Sequence, residues 1–346
     1  MTNEPLLIQA LNGTVTPRVP FWFMRQAGRY LPEYKAVRAT TSGFLDLCFT
    51  PEKAAEVTLQ PLRRFDMDAA ILFSDILVIP YGLGVDIRFV EGEGPRVGLT
   101  NNQAAIEALD LSTVREKLQP VAETVKLVRK NLPEGAALIG FAGAPWTVAC
   151  YMLQGKSGKE FEVARLFALA EPVLMKQLID TLVIATADYL SMQIEAGAQA
   201  IQIFDSWAGL LTPNQFETWV TEPTVRLVKL MREKYPHIPI IGFAKGAGTS
   251  LSHYAKKTQV HCIGVDQHTP MDYAIAARAH EKQAVQGNLD PLLIASNKDE
   301  AVRETNAILE TMKTTPSVFN LGHGFIPSTP IENVAAVAQT VKAWRR

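Results

Sequence analysis

Arg25 and Arg29 flank the small residues Ala27 and Gly28, directly after the apolar run Pro20–Gln26. A guanidinium is a planar fork of N–H donors that grips a carboxylate through two parallel hydrogen bonds. Ala27 and Gly28 leave backbone N–H groups that a ligand can approach. The pattern points to a carboxylate site. The competing reading pairs both arginines with helix carboxylates on a rim. Lys35 and Arg38 follow soon after, either as more of a basic rim or as solvated surface charge.

Asp75 closes the run Ala69–Asp75. A carboxylate placed after bulky apolar residues is desolvated, and can accept several N–H bonds or stabilise a nearby cation. The alternative is a loop-capping Asp. Tyr151 follows the small-residue stretch Gly140–Gly143 and Pro145-Trp146. It either aims its hydroxyl into a cleft or is a core tyrosine with one bond satisfied. Ser206 ends another run, and His323 sits between Gly322 and Gly324. A histidine so placed could donate to a carboxylate, shuttle a proton or simply shape the loop. Lys245-Gly246-Ala247-Gly248 could form an anion nest, but it lacks a full phosphate-loop frame and reads better as a tight turn. His261 and Cys262 are adjacent in a strand and face opposite ways, so they cannot share a metal ion. No metal set emerges.

These residues need a scaffold. Short apolar runs recur at Pro20–Gln26, Ala69–Asp75, Ala137–Gly143, Ala198–Ser206, Ile238–Gly246, Cys262–Gln267, Ala284–Asp290 and Ser317–Gly324. Runs apolar on both faces fit parallel strands covered on both sides. Amphipathic stretches lie between them, at Pro51–Phe65, Gln103–Asn131, Phe161–Ala196, Pro213–Tyr235 and Asn297–Met312. Thr50 and Thr212 are expected N-caps, each followed by proline. The alternation predicts an α/β fold: a single (β/α)8 TIM-type barrel over residues 1–346, with its active site at the C-terminal ends of the strands. Nearly every run ends in polar or glycine-rich residues, which a barrel would gather on that one face. Val85–Val97 alternates around Gly92-Glu93-Gly94 and predicts an inserted β-hairpin, as a lid or a plain surface flap.

The chain has 346 residues, 47% of them hydrophobic, enough for a large core without staples. A formal net charge of −1 argues against a nucleic-acid partner. Three cysteines at irregular spacing fit buried thiols in the cytoplasm rather than a disulfide frame. The N-terminus lacks the pattern of a secretory signal. Ala136–Leu153 carries no charge, but its glycines and Pro145 favour a buried strand and turn over a membrane span.

Pro20–Arg29 (PFWFMRQAGR) and Gly140–Met152 (GFAGAPWTVACYM) resemble the two defining motifs of the uroporphyrinogen decarboxylase family. Leu59–Phe65, Phe73–Leu77, Gln286–Pro291 and Asn320–Gly324 are similar to further family segments, so the resemblance runs from about residue 5 to the C-terminus. Gln154 stands where the family has Glu, and Gln267-His268 replaces Trp-Thr; both departures bear on loop packing. The resemblance implies that the four acetates of uroporphyrinogen III lose CO2, giving coproporphyrinogen III in haem biosynthesis. It implies no cofactor, no metal, and a homodimer whose clefts face each other. It assigns Asp75 to the macrocycle centre as transition-state stabiliser. Arg25 and Arg29, with the Gln26–Gly28 backbone, would hold carboxylates, and Tyr151, Ser206 and His323 would contact the far rim. The donor of the ring proton stays open among Arg25, His323 and water. Two other readings stand beside this one: a cobalamin- or zinc-dependent methyltransferase on a related barrel, and a non-catalytic tetrapyrrole carrier.

Overall fold

The computed structural model describes residues 4–90 and 92–346. Seven parallel strands form one curled sheet: β1 (Ala69–Ile71), β4 (Ala137–Gly143), β5 (Ala200–Asp205), β6 (Ile240–Ala244), β7 (Cys262–Gly264), β8 (Ala284–Leu289) and β9 (Ser317–Leu321), side by side in that order. The expected first strand is shorter than its apolar run. Only Phe21 bridges to Phe319, and it does so in parallel. Phe319 N–H donates to Pro20 O at 2.9 Å, and Asp68 N–H donates to Phe21 O at 3.0 Å. Residues 20–22 thus join β9 to β1 and close a (β/α)8 barrel. The tertiary reason for the short strand is visible next to it. Phe23 N–H is taken by Gln26 Oε1 and Met24 N–H by Asn320 Oδ1, so side chains occupy the donors a longer ladder would use.

The seam is fixed by charge. Arg18 donates to both oxygens of buried Asp68, at 2.5 and 2.7 Å, and Phe21 N–H donates to the same carboxylate at 2.9 Å.

Alternating strand residues fill the barrel: Ala69, Ala137, Ile139, Ala200, Ile241, Phe243, Cys262, Ala284 and Val318, with Trp22 and Met24. The helix Leu6–Leu11 adds Leu7, Ile8 and Leu11 to the same cluster. Trp22 Nε1 donates to Gln286 Oε1, and Gln286 Nε2 donates to Gln202 Oε1, so the polar atoms of this interior are largely paired with one another. A second, larger cluster packs the outer sheet face against the helices.

The helix Pro51–Phe65 has its expected bounds, but Thr50 does not cap it. The Thr50 hydroxyl donates backwards, to Asp46 O. Gln103–Asn131 is broken into Gln103–Glu107, Val114–Lys117 and Gln119–Asn131, because Asp110 caps a short turn between them. Phe161–Ala196 is broken at Pro172, which opens Pro172–Ala196 after Glu162–Ala170. Pro213–Tyr235 is irregular too: a π-type turn at Glu217–Thr221 leads into Glu222–Lys234. Downstream of β4, Pro145 opens the helix Pro145–Gln154, so the uncharged stretch is a strand and a helix. Among the described residues no helix is long and apolar enough to cross a membrane.

After β1 the chain makes an antiparallel hairpin, β2 (Ile87–Val90) and β3 (Gly94–Val97), with Ile87 opposite Val97. Val97 N–H donates to Gly155 O at 2.8 Å and Phe89 packs on Phe44, so the hairpin is tied to the end of the helix that carries Tyr151.

Candidate active site

In a parallel barrel every strand points its C-terminal end at the same face, so residues just past those ends meet there. Arg25 follows the seam, Asp75 follows β1, Ser206 follows β5, Lys245 follows β6, Asp266 lies just past β7 and His323 follows β9.

The arginine loop is braced from within. Gln26 is fully buried; its amide oxygen takes Phe23 N–H and its amide nitrogen donates to Ala69 O. Tyr30 Oη donates to Gln26 O. The Gln26 side chain therefore shapes the loop, and Gln26 N–H donates to Phe23 O at 3.0 Å, so of the expected Gln26–Gly28 backbone donors those of Ala27 and Gly28 are left for a ligand. Arg25 is held in the left-handed region, at φ 58°. Its side chain crosses Gly324 so closely that a Cβ there would overlap the arginine stem. Arg25 and Arg29 are both exposed, and among the described residues neither forms an ion pair. The rim-pairing alternative therefore fails. Ala27 and Gly28 N–H groups have no acceptor among the described residues, which leaves a concave donor patch beside two cations.

Asp75 is partly enclosed, and Leu77 N–H donates to its Oδ1 at 2.8 Å. Burial pushes its carboxyl up to about 6; the Leu77 bond and the Arg25 charge pull the other way without prevailing. Asp75 and Arg25 are therefore within electrostatic reach of each other, as the sequence reading required. Tyr151 faces the same pair. Burial raises its pKa most, Asp75 adds to the rise and Arg25 opposes it. Its ring packs edge-on against Phe161 and Trp207. Arg29 lies close enough to Tyr34 to favour that phenolate, and the Tyr34 ring packs on Phe73 two residues before Asp75.

Beside the arginine loop, on the strand end next to the seam, the His323 ring is lowered to about 4 by burial and by the charges of Arg25 and Lys245, against a smaller pull from Asp266. It is a neutral imidazole at physiological pH. Ser206 is partly exposed and its hydroxyl has no protein partner among the described residues. Its neighbour Asp205 is buried, and burial pushes it up to about 7. Thr147 Oγ1 donates to Asp205 Oδ1 at 2.5 Å and accepts from Trp207 N–H at 3.1 Å, which locks the turn that presents Ser206. No periodicity signals that clamp; Thr147 and Asp205 are 58 residues apart.

The other candidates are structural. Gly246 N–H donates to Asp266 Oδ2 at 2.6 Å, so the Lys245–Gly248 turn is no open anion nest. His261 Nδ1 accepts Ile240 N–H, and all three cysteines are free and buried. Among the described residues no group of three metal-ligating side chains comes together. A groove of about 520 Å³ beside Gln267, His268, Asn288 and Asp290 contains none of the expected site residues.

The model of the uroporphyrinogen decarboxylase (URO-D) family matches residues 2–344. A uroporphyrinogen decarboxylase of Rhodospirillum rubrum is 48% identical over 344 residues, 99% of this chain and 98% of that protein. One of Chelativorans sp. is 48% identical over 343 residues, 99% of each chain. Among solved structures, a methyltransferase from Methanosarcina mazei superposes with TM-score 0.76 over 99% of this chain and 98% of that one. At 20% identity that likeness speaks to the barrel alone. With a family match from end to end and near-half identity to curated relatives, the chain belongs to the uroporphyrinogen decarboxylase family.

Proposed function

We propose that this protein removes CO2 from the four acetate side chains of uroporphyrinogen III, giving coproporphyrinogen III. The observation that carries the reading is one enclosed carboxylate, Asp75, within reach of the Arg25 guanidinium, on a loop where neither Arg25 nor Arg29 forms an ion pair among the described residues. A substrate that is cationic at its centre during reaction and anionic at its edge fits that charge order.

The chemistry follows from the substrate. Direct loss of CO2 from an acetate would leave an unstabilised carbanion. Protonation of a pyrrole carbon first makes the ring iminium-like. The C–CO2 bond then breaks and its electron pair neutralises the ring, leaving an exocyclic methylene. A proton adds to that carbon to give the methyl group, and the ring proton departs. The ring is thus its own electron sink, and no added cofactor or metal takes part. In this reading Asp75 accepts the inner pyrrole N–H bonds and stabilises the positive ring, the electrostatic contribution that dominates such catalysis. Arg25, Arg29 and the free Ala27 and Gly28 N–H groups hold carboxylates. Gln26 acts by bracing the loop. Tyr151 and Ser206 contact the rim away from the arginine loop, and neutral His323 contacts a carboxylate beside Arg25, each as a hydrogen-bond partner.

The protein acts as one domain with the hairpin at 85–97 inserted, and works as a homodimer in the cytoplasm. Free, buried cysteines fit a reducing compartment. Leu166 and Leu169, each 65% exposed, and Val173 at 70% are apolar side chains that a second copy could cover.

Incubation with uroporphyrinogen III under reducing conditions, with released CO2 measured, tests the activity. Four equivalents of CO2 and coproporphyrinogen III are expected. Tight binding without CO2 release would make the protein a carrier and refute the reading.

A further inference from the structure

Lys245 is half-buried at the end of β6, and the barrel register fixes its neighbours. Asp205 pairs with Ala244, so Ser206 and Lys245 are the next residues on adjacent strands. Lys245 N–H donates to Asp205 O at 3.0 Å, which holds the two strand ends together. The ammonium lies 6.0 Å from the centre of the Trp207 ring. Among the described residues it has neither a hydrogen bond nor an ion pair. Asp266 is near but already engaged: Gly246 N–H takes one carboxylate oxygen and His268 N–H the other.

A half-buried ammonium with no ion-pair partner among the described residues is open to an anion, and a ring face at this distance is only a weak substitute. The missing partner is an anion arriving from the cleft. We infer that Lys245 is a further cation of the binding site and takes a substrate carboxylate beside Ser206, with the Trp207 ring steadying its side chain. The inference rests on the decarboxylase reading above for the identity of that substrate. The lowered pKa of His323, to which both Lys245 and Arg25 contribute, independently puts the two cations around the same imidazole. In the sequence Lys245 opens a stretch that fits an anion nest or, better, a tight turn. Its role depends on which strand lies beside it.

Lys245→Gln keeps a polar side chain and removes the charge. Loss of one charge-assisted contact should raise KM for uroporphyrinogen about tenfold while kcat changes by less than about threefold. Lys245→Arg should restore most of the affinity. Coproporphyrin III binding, read by fluorescence, should weaken by a similar factor of about ten, and high salt should narrow the gap between variant and parent. Because that readout needs no turnover, failure of the decarboxylation assay and failure of the lysine assignment are told apart. Lys245→Met supplies a second charge-free variant. Parent-like KM and parent-like porphyrin affinity in the Gln and Met variants, with unaltered melting, would overturn the assignment. So would lower stability without any loss of affinity.

Discussion

Replacing Asp75 by Asn should cripple turnover and make the protein more stable. The carboxyl is displaced from 3.8 to about 6 by burial. At 1.36 kcal/mol per unit, ionised Asp75 destabilises the fold by roughly 2–3 kcal/mol at neutral pH. The sign follows from proton counts. Between about pH 4 and pH 6 the folded chain keeps a proton that the unfolded chain has released. Stability contributed by this group therefore falls as pH rises through that window and stays low above it. Asn has no such titration, and its carbonyl oxygen can still accept Leu77 N–H. Urea unfolding should show the variant ahead by roughly 2–3 kcal/mol at about pH 8, with the gap closing near pH 4. CO2 release should fall by about a hundredfold or more, the scale of a lost electrostatic stabiliser. Parent-level CO2 release would remove Asp75 from the mechanism. Equal stability at pH 8 would show that its carboxylate is not desolvated.

Arg29→Ala should weaken substrate affinity about tenfold or more with little effect on unfolding, because among the described residues it has no ion-pair partner; titration of coproporphyrinogen binding checks this. His323 should titrate by NMR near pH 4 rather than at its usual 6.5, since burial and two neighbouring cations disfavour the imidazolium. A midpoint above about 6 would place those cations elsewhere. Arg18→Ala should cost about 3–5 kcal/mol in urea unfolding, because it leaves buried Asp68 charged and without its guanidinium at the barrel seam.

Much of the scaffold was legible in the sequence. Apolar runs mark β4, β5, β8 and β9, since a strand covered on both faces needs no polar alternation. The seam at residues 20–22 was overestimated because apolar character does not reveal that Gln26 and Asn320 occupy the backbone donors. Helix breaks at Asp110 and Pro172 were missed for a related reason: periodicity carries across a short interruption. At the site, Asp75, Tyr151 and His323 all lie within electrostatic reach of Arg25, three of the four after strand ends and Tyr151 on the helix that follows β4. The inward turn of Gln26, the Thr147–Asp205 clamp and the placement of Lys245 depend on contacts between distant elements, which a single chain read in order does not display.

The arginine loop has two cations, and among the described residues neither forms an ion pair. In the proposed reaction each of the four steps discards one carboxylate, so the guest becomes progressively less anionic while its host stays the same. The electrostatic hold is greatest on arrival and slackens with every CO2 that leaves. Product escape would then need no separate gate, and residence time would shorten as the number of surviving acid groups falls.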